Sequence, residues 1–388
     1  MTIENSCYVC DGPIGTRHHF YDGLCQNCGE FNFAKRQTLA NLEGYTALVT
    51  GARLKIGFET ALKLLRCGSK VVVSTRFTED ARRRFANQPD FCNWDHRLFI
   101  FAADFRVLSC VRQLADFVRE TTGTLDILIN NAAQTLRRPP AYYSHLIEDH
   151  ENATADPAHK VAITDRKCNE LTANAFDAAG GSASTSTWSS KSVARLSQLA
   201  LLESDEIVDP SEFPVGRTDR HGQQVDWRDC NSWMMTLAEV PWIELLEVMY
   251  INAIAPFLLT SNLQAVMKKD AGQRPSFVVN VTAMEGNFYD NKKDIRHPHT
   301  NMAKAALNMM TRTSANDLVK DRIYMNAVDP GWITNERPLL TNLLSEHGPM
   351  AIDEIDGASR ICDPIFRALN DGDFSFGALF KNYKLFPW

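Results

Sequence analysis

Short runs that are apolar at nearly every position alternate with amphipathic stretches along most of this chain. Ala47-Leu-Val-Thr50, Val71-Val-Val-Ser74, Leu98–Ala102 and Leu125–Ile129 are four such runs, each too short for a helix. Uninterrupted apolar runs of this length suit strands covered on both faces. Between the first two, Phe58, Ala61, Leu62, Leu64 and Leu65 recur at helical spacing, and Gly68 supplies the stop signal. Phe277–Val281 and Ile323–Val328 read as a fifth and a sixth strand. Trp242–Lys268 and Thr300–Val319 read as long helices. The first of these carries Leu245, Leu246, Val248, Ile251, Ile254, Phe257 and Leu258 nearly all round, the pattern of a helix buried on two sides. Strands alternating with helices predict an α/β fold with a doubly wound parallel sheet.

Two regions break the alternation. Residues 136–240 form a long insertion opening with Arg137-Arg-Pro-Pro140. Its part at about 150–200, through Gly180-Gly-Ser-Ala-Ser-Thr-Ser-Thr-Trp188, is expected to be flexible because it is rich in Ser, Thr, Ala and Gly. Its later part, Val208 to Val240, has Pro210, Trp227, Trp233, Met234 and Met235, and is expected to dock as an ordered flap over the active site. The other region is residues 1–40, with Cys7-x-x-Cys10 and Cys25-x-x-Cys28. Two residues between thiolates let both sulfurs face one ion, and two such pairs complete the tetrahedral shell of a structural zinc. His18 and His19 lie between the pairs and could replace a thiolate. The stretch resembles a treble-clef finger. The organisation expected is a four-cysteine zinc-binding module over 1–40 and an α/β domain over 42–388 that contains the insertion.

Composition narrows the partners. A net charge of −6 and a pI of about 6.0 give no general footprint for nucleic acid or an anionic membrane. Within residues 1–40, Arg17, Lys35 and Arg36 are outnumbered by Glu4, Asp11, Asp22 and Glu30. That module is a poor phosphate binder, and a structural or docking role is expected. The first residues lack the basic and apolar regions of a secretory signal, and the apolar run around Ile251–Leu259 is short for a bilayer. A cytoplasmic location with no membrane partner is therefore expected.

Candidate chemistry begins at the first strand. Gly51-Ala-Arg-Leu-Lys-Ile-Gly57 joins that strand to a helix inside a βαβ unit, where backbone N–H groups and the helix N-terminus can hold a pyrophosphate. The second strand is followed by Arg76, with no acid until Glu79. An arginine there suits a 2′-phosphate, whereas a carboxylate would suit a free ribose hydroxyl, so NADP is the expected cofactor.

Thr50-Gly51…Gly57, Asp104, Asn130-Asn-Ala132, Asn252, Lys304 and Asp329-Pro-Gly-Trp-Ile-Thr334, in this order, resemble the short-chain dehydrogenase/reductase family over roughly residues 42–135 and 240–388. The resemblance implies a Rossmann fold and an oxidoreductase of a small carbonyl or alcohol substrate. It implies that Thr50, Gly51, Arg53, Lys55, Ile56 and Gly57 hold the diphosphate, and that Asp104 lies near the adenine. Asn130 and Ala132 would steady the nicotinamide side, with Pro330, Gly331, Ile333 and Thr334 closing over it. It also implies a homodimer, paired through the two long helices.

Several positions depart from the family pattern. Lys55 stands where a middle glycine is usual. The serine position falls on Ala283, beside Thr282, and the Tyr-x-x-x-Lys motif reads Thr300-Asn-Met-Ala-Lys304. An aliphatic hydroxyl cannot replace a phenol as an acid. Lys304 would hold the nicotinamide ribose, and Asn252 would organise a proton relay. His299 is the first candidate proton donor and Tyr289 the second. The alternative is a degenerate dinucleotide-binding sensor or scaffold that recruits a protein partner through the zinc module.

Overall fold

A computed structural model describes residues 6–152, 162–164, 190–206, 209, 211–270, 272–289, 293–333, 336, 338 and 350–388. The elements of the first half are α1 (Gln26–Gln37), β1 (Thr46–Thr50), α2 (Lys55–Arg66), β2 (Lys70–Thr75), α3 (Thr78–Ala86), β3 (Leu98–Ala102), α4 (Leu108–Thr122) and β4 (Ile127–Asn130). The insertion contributes α5 (Ser144–Asn152), β5 (Ala162–Thr164) and α6 (Ser190–Arg195). Then follow α7 (Trp242–Met249), α8 (Ala255–Met267), β6 (Ser276–Val281), α9 (Pro298–Leu318), β7 (Ile323–Asp329), α10 (Glu354–Asp371), β8 (Leu379–Lys381) and β9 (Lys384–Phe386).

The strands form one sheet in the order β5-β3-β2-β1-β4-β6-β7-β8-β9, parallel throughout except for the final β8–β9 pair. Alternate residues of each strand feed opposite cores, as the two-residue period requires. Ala47, Val49, Val71 and Val73 meet α2 and α10, while Leu48, Val72, Leu128 and Val278 meet α4 and α8. This is the doubly wound sheet expected from the apolar runs. The chain reverses direction across the sheet between β1 and β4, and such a switch point opens a crevice at the strand carboxyl ends.

The long helix from Trp242 is not uniform. A π turn over Tyr250–Ile254 separates α7 from α8, with Pro256 just after it and Asn252 buried within it. Proline cannot supply the missing N–H, so the ladder loosens there. The whole helix, Trp242–Met267, has 26 residues and a membrane-like hydropathy. It nevertheless buries Glu244, Glu247 and Asn252, and sets Leu259, Leu263 and Met267 into the core shared with α4.

Most of the stretch expected to be flexible lies outside the described residues. Its end does not fit that expectation: α6 buries Val193 and Ala194 against the sheet and α5. Short β5 pairs in parallel with β3, an edge that local pattern did not reveal.

Candidate active site

The crevice at the switch point is lined by Gly51, Lys55, Gly57, Arg76, Asp104, Asn131, Ala132 and residues of the insertion. Two glycines shape its floor. Gly51 has φ +67°, and a Cβ there would come within 2.8 Å of the Ala132 backbone. A Cβ on Gly57 would meet Asn131 Nδ2 at 2.4 Å and the Gly51 carbonyl at 2.5 Å. The loop is thereby drawn tight against β4. Thr50 fixes it further, since its Oγ1 accepts from the N–H groups of Asn131 (3.0 Å) and Ala132 (2.9 Å). No side chain caps the N-terminus of α2, so its first N–H groups remain for an anion.

Lys55 occupies the first turn of α2 with φ +54°. Glycine reaches that left-handed region without strain, while lysine carries roughly 1–2 kcal/mol. Its Nζ lies 4.0 Å from Glu336. Ile56 lines the crevice and also packs against the apolar cluster of the N-terminal segment.

The cations at the β2 end have unequal freedom. Arg53 lines the crevice and is held there by Asp80 at 2.6 Å, a carboxylate it shares with Arg83 and Arg84, and by Gln223 of the insertion, to which it donates at 2.6 Å. Arg76 donates to the Tyr143 hydroxyl at 3.1 Å and sits 4.7 Å over that ring, with no ion pair among the described residues. Burial raises the Tyr143 phenol, but Arg76 and Arg138 outweigh it and hold the group below its ordinary range. Asp104 is buried and tied to Arg106 at 2.7 Å; burial raises its carboxyl, and Arg106 brings it lower overall. Asn130 lies in the core, donating to Asn280 at 2.8 Å, and steadies β4 against β6 rather than facing the crevice.

Lys304 is buried on α9 and donates to the Val281 carbonyl at 2.8 Å. Burial lowers it to about 8, with Glu285 and Asp329 acting in the opposite direction. Thr300, one turn earlier, donates to the Thr135 carbonyl at 3.3 Å. Thr282 Oγ1 is buried without a hydrogen-bond partner among the described residues. Asn252 is locked by the Gln134 backbone, accepting its N–H at 2.8 Å and donating to its carbonyl at 2.9 Å. His299 is buried, with Nε2 3.7 Å from the Glu244 carboxylate.

Tyr289 does not fold back over the site. It is 64% exposed and packs its ring on Phe386 at 6.0 Å, because the 284–289 loop runs towards the last strand. Pro330, Gly331 and Ile333 follow β7, whereas Thr334 lies outside the described residues.

The four cysteine sulfurs at the N-terminus all lie within 4.8 Å of one another, and Cys10 and Cys25 are 3.9 Å apart. Four ligands at the usual zinc–sulfur distance of about 2.3 Å are spaced similarly. Burial raises the Cys7 thiol, but backbone N–H groups of Cys25, Cys10 and Val9 bring it down to about 7. The donor set fits zinc. His18 and His19 form a separate group with Glu30.

Sequence profiles of two families match the chain: short chain dehydrogenase over residues 45–153, and enoyl-(acyl carrier protein) reductase over 230–341. Together they cover more than half of it. The chain belongs to the short-chain dehydrogenase/reductase family. An uncharacterized protein, R665, of Acanthamoeba polyphaga mimivirus is 30% identical over 377 residues, covering 94% of this chain and 72% of that protein. Human dehydrogenase/reductase SDR family member 13 is 37% identical over 101 residues, only 24% of this chain and 25% of that protein. The Pseudomonas aeruginosa RhlG/NADP active-site complex shares the fold at a TM-score of 0.52, with 17% identity, covering 88% of this chain and 95% of that one. A Burkholderia cenocepacia short chain dehydrogenase in complex with NADP does so at 0.53, with 16% identity over 88% and 96%.

In this member of the family the insertion closes one wall of the crevice. Trp233 stacks on His297 at 3.9 Å, Asn231 donates to the Glu336 carbonyl at 2.9 Å, and Gln223 reaches Arg53. The flap expected over 208–240 is therefore docked, although Val208 and Pro210 lie outside the described residues. Sequence reasoning missed Tyr142, Tyr143, Arg138 and Gln223 as lining groups. The doublets Arg137-Arg138 and Tyr142-Tyr143 at the start of the insertion were the available signal.

Proposed function

We propose that this protein is an NADP(H)-dependent oxidoreductase of a carbonyl or alcohol substrate, with a proton donor other than the family's usual tyrosine. The observation that carries this reading is the pairing of a buried amine at the β6 end with an arginine at the β2 end that has no ion-pair partner among the described residues. When bound, the nicotinamide supplies the hydride. The uncapped α2 N-terminus and Lys55 would meet the diphosphate, and Arg76 with Tyr143 would meet the adenosine end. Lys304, as an ammonium, would stabilise negative charge on the reacting oxygen. His299, whose two ring nitrogens are buried without a hydrogen-bond partner among the described residues, would release or take the proton, and Thr300 would stay a structural contact. Asn252 would hold Gln134, in the segment that follows β4.

The cofactor choice is testable. A bidentate guanidinium–phosphate contact is worth about 1.5–3 kcal/mol, roughly tenfold to a hundredfold in affinity. Arg76→Ala should therefore weaken NADPH by that factor in a fluorescence titration and leave NADH nearly unchanged. Equal losses for both would remove Arg76 from 2′-phosphate recognition.

Cys7, Cys10, Cys25 and Cys28 would hold one structural zinc, ordering the surrounding residues as it binds. Protein purified without chelator should contain one zinc per chain by elemental analysis, and Cys25→Ser should contain none. Stoichiometric absence from the wild type would end that assignment.

A homodimer fits the apolar groups left outside the long helices, where Trp242 is 68% exposed, Phe257 56% and Met309 56%. Light scattering at micromolar concentration should give twice the chain mass; a monomer would refute the pairing. A cytoplasmic location remains part of this proposal.

A further inference from the structure

The N-terminal cysteine segment packs onto its own chain, against the turn that follows β7. Tyr8 sits between Cys7 and Cys10, and its hydroxyl accepts the Trp332 N–H at 2.6 Å. Gly331, at φ +94°, passes so close that a Cβ there would lie 3.0 Å from the Tyr8 oxygen. Ile333 is buried in one apolar cluster with Cys7, Tyr21, Leu24 and Ile352, and Ile56 packs against the same cluster. Ile56 belongs to the first turn of α2, at the diphosphate end. From the other side, buried Arg360 donates to Asn32 of α1 at 2.7 Å and to the Pro330 carbonyl at 3.4 Å.

The segment so held borders the crevice through Ile56, which lines the crevice and packs against the cluster of Ile333. Glu336 lines the crevice, and Asp329 acts electrostatically on Lys304. It follows β7, four strands from β2 in the sheet, roughly 19 Å at about 4.8 Å per strand. The Arg76 end of the crevice is thus remote from it.

We infer that the cysteine module is an internal clamp: metal in the knuckles fixes Tyr8, and Tyr8 positions the 330–333 turn so that the crevice is formed for the nicotinamide half of the cofactor. This rests on the reading of the crevice as an NADP(H) site. Tyr8 is a positioning residue, acting through the Trp332 backbone. It gives the module a role within the chain instead of the recruitment of an outside partner.

The test uses full-length, zinc-loaded protein and two ligands. NADPH spans both ends of the crevice, whereas 2′,5′-ADP reaches only the Arg76 end. One hydrogen bond is worth about 0.5–1.5 kcal/mol, so Tyr8→Phe should weaken NADPH about threefold to tenfold. It should leave 2′,5′-ADP unchanged and zinc at one per chain. Removing zinc with a chelator should reproduce the same selective loss, and adding zinc back should reverse it. Amide exchange of peptides covering 329–333 in the wild type, with and without chelator, reads the same contact without a substitution; it should quicken when zinc is removed. Equal weakening of both ligands, unchanged NADPH affinity, or exchange indifferent to zinc would each overturn the clamp while the cofactor reading stands. Wild-type protein that binds neither ligand would overturn the cofactor reading and the clamp with it.

Discussion

Replacing Lys304 by alanine should cut turnover by at least about a hundredfold to a thousandfold, the scale of removing one preorganised group that stabilises transition-state charge. It should also weaken NADPH. The amine is buried and held on the Val281 carbonyl, with Glu285 and Asp329 close enough to act on its charge. Burial brings it down to about 8. If the ammonium is the working form, the rate should fall as pH rises through about 8. Stability should move the other way. An unfolded lysine titrates near 10.4, so between about pH 8 and that value the unfolded chain binds more protons and the native state gains with rising pH. Lys304→Met should lose both features. His299→Ala should lower turnover by about a hundredfold or more, and Thr300→Val should do little. The opposite pattern would mean that Thr300 relays the proton and His299 does not. Retained NADPH binding with no turnover in the wild type across a carbonyl panel would favour the sensor reading.

The second large effect is expected from a glycine that no motif marks. Gly286 ends the turn after β6, beneath α9. A Cβ there would lie 2.4 Å from the Lys304 carbonyl carbon and 2.7 Å from the Ala305 nitrogen. These are backbone atoms of a long helix, so no side chain can swing aside. The Gly286 carbonyl also accepts from Asn308 at 3.0 Å, which ties the turn to the same helix. Gly286→Ala should therefore destabilise by about 2–3 kcal/mol, a fall of several degrees in Tm. It should also displace Lys304 and cost activity beyond the loss in folded fraction. An unchanged Tm would mean that the turn has room to move.

Much of the fold was legible in the chain because it is written locally. Six apolar runs became six central strands of the sheet, since a strand covered on both faces needs apolar residues at consecutive positions. The glycine loop, the two cysteine pairs and Arg76 were likewise visible, each being a short spacing with a fixed geometric consequence. Edge strand β5 was not, because three residues at the rim carry too little pattern to distinguish.

The state of each site residue was decided by partners far away in sequence. Arg53 was visible as a candidate phosphate ligand, but Asp80 and Gln223, 27 and 170 positions on, which hold it at the crevice, were not. Tyr289 looked able to reach the site, and its loop was drawn to Phe386 instead. Tyr8 carries no signal in sequence beyond its place between Cys7 and Cys10, and its hydroxyl meets a backbone N–H 324 positions away. The sequence by itself determined which elements form and which chemistries are on offer, because periodicity and short spacings act through neighbouring residues. Only the tertiary structure decided which charges are already paired and which hydroxyls are already engaged, because those depend on desolvation and contact between segments that no local pattern links.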